Sequence, residues 1–401
     1  MKKVLFVINT LGIAGAERTL TALLNEFDRE KYEVYIRSII PRGECFLGIP
    51  KGVKILNKNY SAKSVLSPSG SFFIGCMVVK SLFINLFSLK NLKAIWSYTI
   101  KQIKNERRSL SKIFWLSLAL ATKRDNTDYD LAVAFLEGAS TYYVSERVKA
   151  KRQVTFLHND YKKSGYLKEI DRYYYGKFER IYCVSTSTKE VACEEFPEFV
   201  HKIERFQNVV SDELVKSLAK KGKGFTDSFD GIRFVTVGRL HQQKGYDLVV
   251  KAFARALIRR QDIKAKWYAI GEGPERNSLL ALIKSLGISD NVVLLGKKTN
   301  IYPYVDQCDI YVHCTKYEGW SIAIAEAKIL AKPMIVSDTT NADKQLPPGT
   351  FVVVKRTVED ISNAMVDLMT NEELRKKITE KSSEKWERPN DIPKLYAFLE
   401  D

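Results

Sequence analysis

Six short apolar runs recur through the second half of the chain, at 233–237, 266–270, 292–295, 310–313, 334–336 and 351–354. They are rich in Val, Ile, Leu and aromatic residues and do not alternate with polar ones. That pattern belongs to strands buried on both faces, the hallmark of a parallel sheet. Parallel strands need crossover connections of a dozen or more residues, usually a helix. Segments of helical period lie where such crossovers are needed, at 246–259, 274–286, 321–330 and 358–369. The pattern predicts a doubly wound α/β domain.

The first half opens the same way. A strand at 2–9 is followed by the turn 10–15, a helix at 16–27 and a strand at 32–40. Lys2 and Lys3 before an apolar run mimic a signal peptide, but the run breaks at Asn9 and Thr10, too early for a signal core. Further strands fit at 131–135, 153–157 and 180–184, with a helix at 187–196. The 401 residues suffice for two domains. Residues 1–207 form the first and 208–385 the second, with the crossing at Gln207–Asn208–Val209–Val210 and a glycine-rich loop at 220–230. A tail at 386–401 carries a last helix after Pro389 and Pro393.

Residues 60–125 interrupt the α/β rhythm. The stretch 71–96 is rich in Phe, Leu, Ile and Val, but Lys80 sits mid-run. A lysine at the centre of a span costs roughly 2.5–3.5 kcal/mol. One or two helices are expected, buried or lying on a membrane surface, and not a span. The formal net charge is +17 and is concentrated here: 45–124 holds fourteen Lys/Arg against one acid, Glu106. Cys45, Cys76, Cys183, Cys193, Cys308 and Cys314 show no C-x-x-C spacing, and the four histidines are dispersed. A structural zinc site or disulfide framework is not expected, and a reducing cytosol fits.

Ligands of open parallel sheets bind beyond the carboxyl ends of the strands. After the run ending at Val237 comes Gly238–Arg239–Leu240–His241–Gln242–Gln243–Lys244–Gly245. Two cations beside a glycine turn suit a diphosphate, or simply a solvated basic loop. Gly271–Glu272–Gly273–Pro274 reads alone as a turn and a helix cap. After His313 comes Cys314–Thr315–Lys316–Tyr317–Glu318–Gly319–Trp320–Ser321, then a helix holding Glu326. In this E-x7-E spacing Glu318 sits in the loop, within a ligand's reach. Gly319 frees the backbone, and the helix start offers N–H groups to an anion. Glu326 lies on the helix and can point back along the cleft toward vicinal hydroxyls. His158 follows the run 153–157, either as a structural histidine or facing the cleft. Gly12 and Gly15 lack the G-x-G-x-x-G of a dinucleotide fingerprint, so a dehydrogenase is poorly supported.

Together these residues resemble the retaining GT-B glycosyltransferases of family GT4 (glycosyl transferases group 1), which include bacterial capsular and cell-surface polysaccharide enzymes. The resemblance spans nearly the whole chain, with a gap over about 45–125. It rests on Val237–Gly238–Arg239–Leu240 with Lys244–Gly245, on Gly271–Glu272–Gly273–Pro274, and on Glu318 through Glu326–Ala327 with Lys332–Pro333. Gly15–Ala16–Glu17–Arg18 is similar to the family's G-G-A-E-R loop, with Ala14 in place of its first glycine, and Asn208 matches an asparagine at the crossing. The resemblance implies a GT-B fold: two facing Rossmann-like domains with parallel sheets, a deep interdomain cleft, and a C-terminal helix returning to the N-domain. It implies that Arg239 and Lys244 stabilise the leaving diphosphate and that Glu318 lies beside the transferred sugar. Glu326 would bind the ribose, and His158 would contact the sugar. Backbone around Gly15, Gly273, Trp320 and Ser321 would meet phosphate or sugar oxygens. No metal or other cofactor is implied.

The expected reaction moves a hexose-type sugar from a nucleotide diphosphate, with a UDP-sugar favoured, to a glycan or lipid-linked acceptor in surface polysaccharide synthesis. A nucleotide-sugar epimerase on the same frame is the alternative. A nucleic-acid-binding protein is a weaker one, since no nucleic-acid motif accompanies the charge. The basic, aromatic region suits an anionic membrane surface, placing the enzyme in the cytoplasm, peripheral on the inner face of the plasma membrane.

Overall fold

The computed structural model describes all residues except 13, 58, 66, 105–110, 317, 319, 341, 388, 389 and 401. Three expectations fall on these: the free backbone at Gly319, part of the basic stretch at 58 and 105–110, and the break at Pro389. All three lie outside the described residues. The chain divides into two compact units, Met1–Val209 with Pro389–Asp401, and Val210–Arg388.

The first unit holds seven strands: β1 (Lys2–Ile8), β2 (Tyr32–Ser38), β3 (Lys54–Ile55), β4 (Asp128–Ala134), β5 (Lys149–Leu157), β6 (Arg180–Cys183) and β7 (Ile203–Arg205). They form one parallel sheet in the order β3-β2-β1-β4-β5-β6-β7. The order reverses between β1 and β4, so the connections that follow these two strands run to opposite sides of the sheet. Helix α1 (Gly15–Glu26) buries Leu20, Leu23 and Leu24 against Val4, Phe6 and Ile8 of β1. The last helix, Ile392–Glu400, packs Ile392, Leu395 and Leu399 into this same core, with Tyr396 stacked on Tyr32 at 5.2 Å.

Between β3 and β4 lie helices α2 (Pro68–Leu86), α3 (Leu89–Lys104) and α4 (Ser111–Ala121). Ser67 caps α2 by accepting from the Gly70 N–H, and Pro68 occupies its first turn, where no N–H is required. Helix α5 (Ala139–Arg147) follows β4.

The second unit holds β8 (Ile232–Val237), β9 (Ala265–Ile270), β10 (Val292–Gly296), β11 (Ile310–His313), β12 (Met334–Ser337) and β13 (Val352–Val354). These form a parallel sheet ordered β10-β9-β8-β11-β12-β13, with the reversal between β8 and β11. The helix Tyr246–Arg259 buries Tyr246, Val249, Val250, Phe253 and Ala256, one face at helical spacing.

The glycine-rich turn after β9 holds two loops together. The Leu240 N–H donates to the Glu272 carbonyl at 3.0 Å, and the Glu275 N–H to the Leu240 carbonyl at 3.2 Å. Gly271 has φ +152°, and a Cβ there would lie 1.8 Å from the Gly238 carbonyl oxygen. Gly271→Ala is therefore expected to cost about 3 kcal/mol, since strain and a backbone clash coincide. Thermal unfolding of the variant checks it; an unchanged midpoint would show that the loops do not need this approach.

Candidate functional site

The site in the second unit is built where β8 and β11 part. The loop after β8 brings Gln243 against the loop after β11: its carbonyl accepts from the Lys316 N–H at 2.6 Å and from the Thr315 hydroxyl at 2.9 Å. This seam delivers Lys244 to Glu318. Lys244 Nζ donates to Glu318 Oε2 at 2.6 Å, and both side chains are largely withdrawn from water. His313, the last residue of β11, reaches the same oxygen with Nε2 at 3.1 Å. Ser321 Oγ lies 3.1 Å from that nitrogen, and the Ser321 N–H donates to Gln345 Oε1 at 2.9 Å.

Charge follows from this packing. Burial alone would raise the Glu318 carboxyl, but the His313 hydrogen bond and the Lys244 charge outweigh it and hold it at about 2. Burial pushes His313 below the ordinary imidazole value, so it is neutral near pH 7, with Glu318 acting against the shift and Lys244 adding to it. The site is a carboxylate held between an ammonium and a neutral imidazole. It has a clear signature in acid. The Glu318 pKa is lower in the folded chain than its ordinary 4.5, so its stabilisation is complete above about pH 4.5 and is lost as pH falls toward 2. A shift of this size corresponds to at most about 3 kcal/mol. The depressed His313 works in the same direction. Urea midpoints measured from pH 5 to pH 3 should fall less steeply in Glu318→Gln than in the parent, and parallel curves would refute the depressed carboxyl.

The other expected residues are placed as follows. Arg239 is exposed on the β8 loop, with no ion pair among the described residues. Gly273 is packed under Leu240, where a Cβ would lie 2.2 Å from the Leu240 carbonyl. Trp320 is half-buried, its indole Nε1 enclosed without a hydrogen-bond partner among the described residues. Glu326, in the helix Ile322–Ile329, is buried and accepts from the Tyr302 hydroxyl at 2.8 Å. Sequence reasoning missed His313 and Tyr302. His313 had one usable signal, a titratable residue ending a strand at the topological reversal.

In the first unit, Gly15 is the exposed first residue of α1. His158 follows β5 and packs against Phe135 at 5.1 Å. Burial lowers its pKa to about 4, with Glu137 and a backbone hydrogen bond to Phe135 acting the other way. Its Nε2 is enclosed with no partner among the described residues. Glu137, a residue the motif reading passed over, accepts from the His158 N–H through Oε2 at 3.0 Å and from the Asn159 side chain through Oε1.

Residues 227–385 match the family model described as Glycosyl transferases group 1. A 172-residue stretch is 28% identical to the N-acetylgalactosamine-N,N'-diacetylbacillosaminyl-diphospho-undecaprenol 4-alpha-N-acetylgalactosaminyltransferase of Campylobacter jejuni, covering 43% of this chain and 45% of that protein. The chain thus matches less than half the length of that curated relative. Two solved structures share the fold over nearly their full length. S. aureus TarM superposes with a TM-score of 0.63 at 11% identity, over 100% of this chain and 99% of that one. Anabaena HepE in complex with UDP-glucose superposes with a TM-score of 0.58 at 13% identity, over 96% and 94%. The architecture is the GT-B fold that the family resemblance implied.

Proposed function

We propose that this chain, whose residues 227–385 match the family model of glycosyl transferases group 1, is a retaining glycosyltransferase that moves a hexose-type sugar from a UDP-sugar to a glycan or lipid-linked acceptor in surface polysaccharide assembly. The observation that carries the reading is Lys244 held on Glu318 at the reversal point of the second sheet. Departure of a nucleotide diphosphate builds negative charge on the leaving oxygens, and preplaced cations lower that barrier. Arg239 and Lys244 supply them, with no metal or other cofactor in the reading. When the donor enters, Lys244 turns from Glu318 to the diphosphate. The released Glu318 carboxylate then faces the positive charge that develops on the sugar. Glu326 receives the ribose hydroxyls once Tyr302 yields its hydrogen bond, and backbone at Gly15, Gly273, Trp320 and Ser321 meets phosphate or sugar oxygens. The bare Nε2 of neutral His158 accepts from a sugar hydroxyl.

A UDP donor is supported by the HepE complex with UDP-glucose, and a lipid-linked acceptor by the diphospho-undecaprenol in the name of the Campylobacter relative. The basic stretch 45–124 supports a seat on an anionic membrane surface at the cytoplasmic face. A panel of nucleotide sugars, scored by release of the free nucleotide diphosphate, tests the donor; the anomeric configuration of the product, read by NMR, tests retention. Release from no donor sinks the transferase reading, and an inverted product sinks retention alone.

A further inference from the structure

The pair of helices α2 and α3 is built inside out where they meet. Over its first turns α2 packs Phe73, Ile74, Met77 and Val78 against the first unit's core. Over its last two turns the inward residues are polar. Ser81 is 3% exposed and Asn85 0% exposed. Ser81 Oγ lies 2.8 Å from Ser117 Oγ of α4. Asn85 Nδ2 donates to the Ser117 carbonyl at 2.9 Å, and Asn91 Nδ2 of α3 donates to Asn85 Oδ1 at 2.8 Å. The outward residues are apolar: Leu82, Phe83, Ile84 and Leu86, then Phe87 in the turn and Leu89 at the start of α3. Phe83, Phe87 and Leu89 are 61%, 80% and 78% exposed, and Trp96 on α3 is also exposed.

A helix facing water places its polar side outward. A helix facing hydrocarbon reverses this, because apolar packing gains nothing over lipid and polar side chains serve as the glue between helices. The α2–α3 tip follows the second rule. Lys80, Lys90 and Lys93 are exposed around it, in a stretch with a single acid, and Lys90 is ion-paired with Glu146 of α5 at 2.9 Å, so Lys80 and Lys93 carry most of the available charge. That charge complements anionic headgroups. We propose that the tip, Leu82 to Leu89 with Trp96 beside it, inserts into the acyl region of one leaflet of an anionic bilayer. Lys80, Lys90 and Lys93 would then lie at headgroup level. This rests on the membrane-surface reading above and goes beyond it, from electrostatic contact to hydrocarbon insertion. Helix α2, at 19 residues, is long and apolar enough to be a candidate span by length and composition. Lys80 and the packing of its first turns on the core argue for partial insertion.

The test uses the full chain with vesicles of phosphatidylcholine, or of an equimolar mixture with phosphatidylglycerol, some carrying acyl chains brominated at mid-depth. Five tryptophans are present, so the Trp96→Phe variant isolates the signal of Trp96. Insertion predicts binding to the anionic vesicles, quenching by the brominated chains that Trp96→Phe loses, and at least a tenfold drop in partition for the double variant Phe83→Ser, Phe87→Ser. Donor turnover in that variant without vesicles should match the parent. Salt-reversible binding with no acyl-chain quenching overturns insertion and leaves the surface reading standing. No binding to either vesicle overturns both membrane readings, while nucleotide diphosphate release by the same preparation reports separately on transfer. A chain that dimerises without lipid, and becomes monomeric in the double variant, overturns insertion by making the tip a subunit interface.

Discussion

Replacing Lys244 by Ala is expected to lower kcat by about 10²–10³-fold, the loss typical of removing one preplaced donor from a developing negative charge. The structure adds a second consequence. Lys244 is also the partner of Glu318, 2.6 Å away in a largely dry setting. Truncation leaves Glu318 ionised without its ammonium partner in a largely dry setting, which should cost about 1–3 kcal/mol. The two effects separate in a double variant. Glu318→Gln beside Lys244→Ala removes the stranded charge and keeps an oxygen that accepts from His313. Stability should return close to the parent while turnover stays low. Arg239→Ala is the complementary control. Arg239 is exposed and has no ion pair among the described residues, so its loss should depress kcat without moving the unfolding midpoint. Equal falls in kcat and kcat/KM would place these contacts in the transition state. Near-normal turnover in both single variants would remove the two cations from the mechanism.

How much of this was legible follows from where each signal lives. Strands of four or more residues, and the turns that end them, are local, and β8 through β12 lie where their apolar runs do. β3, with two residues, and β7, with three, are too short to show a period and take their pairing from β2 and β6. The E-x7-E spacing is also local. The grip of Lys244 on Glu318 joins residues 74 apart in sequence, and depends on β8 and β11 being neighbours in the sheet. Composition could not assign that neighbour. The turn Gly271–Gly273 read alone as a cap, because the carbonyls of Gly238 and Leu240 that demand glycine are supplied by another loop. In α2 the apolar run was visible, but mean hydropathy does not say which side packs. Ser117, which turns Ser81 and Asn85 inward, arrives from α4.

Glu137→Ala should give the largest loss of stability, about 3–4 kcal/mol. The carboxylate is buried and accepts from two groups, the His158 N–H and the Asn159 side chain. Hydrogen bonds to a charged acceptor contribute roughly 1.5–3 kcal/mol each, and their donors would be left dry. Its own carbonyl accepts from Asn9 Nδ2 at 3.1 Å, and Asn9 Oδ1 accepts from the Ser140 N–H at 2.8 Å. One residue thus ties together the chain as it leaves β1, β4 and β5, on both sides of the reversal in the first sheet. Glu137→Gln keeps one accepting oxygen but turns an amide donor toward the other, so it should recover only part of the loss. With two compact units, the shift should appear in the unfolding of the first and spare the second. Activity adds a test that stability alone does not. If Glu137 acts by fixing His158, then Glu137→Ala and His158→Ala should each lower kcat, and the double variant should fall little below the worse single one. Fully additive losses would show that Glu137 acts elsewhere, and an unchanged unfolding midpoint would show that the β4 and β5 loops hold their shape without it.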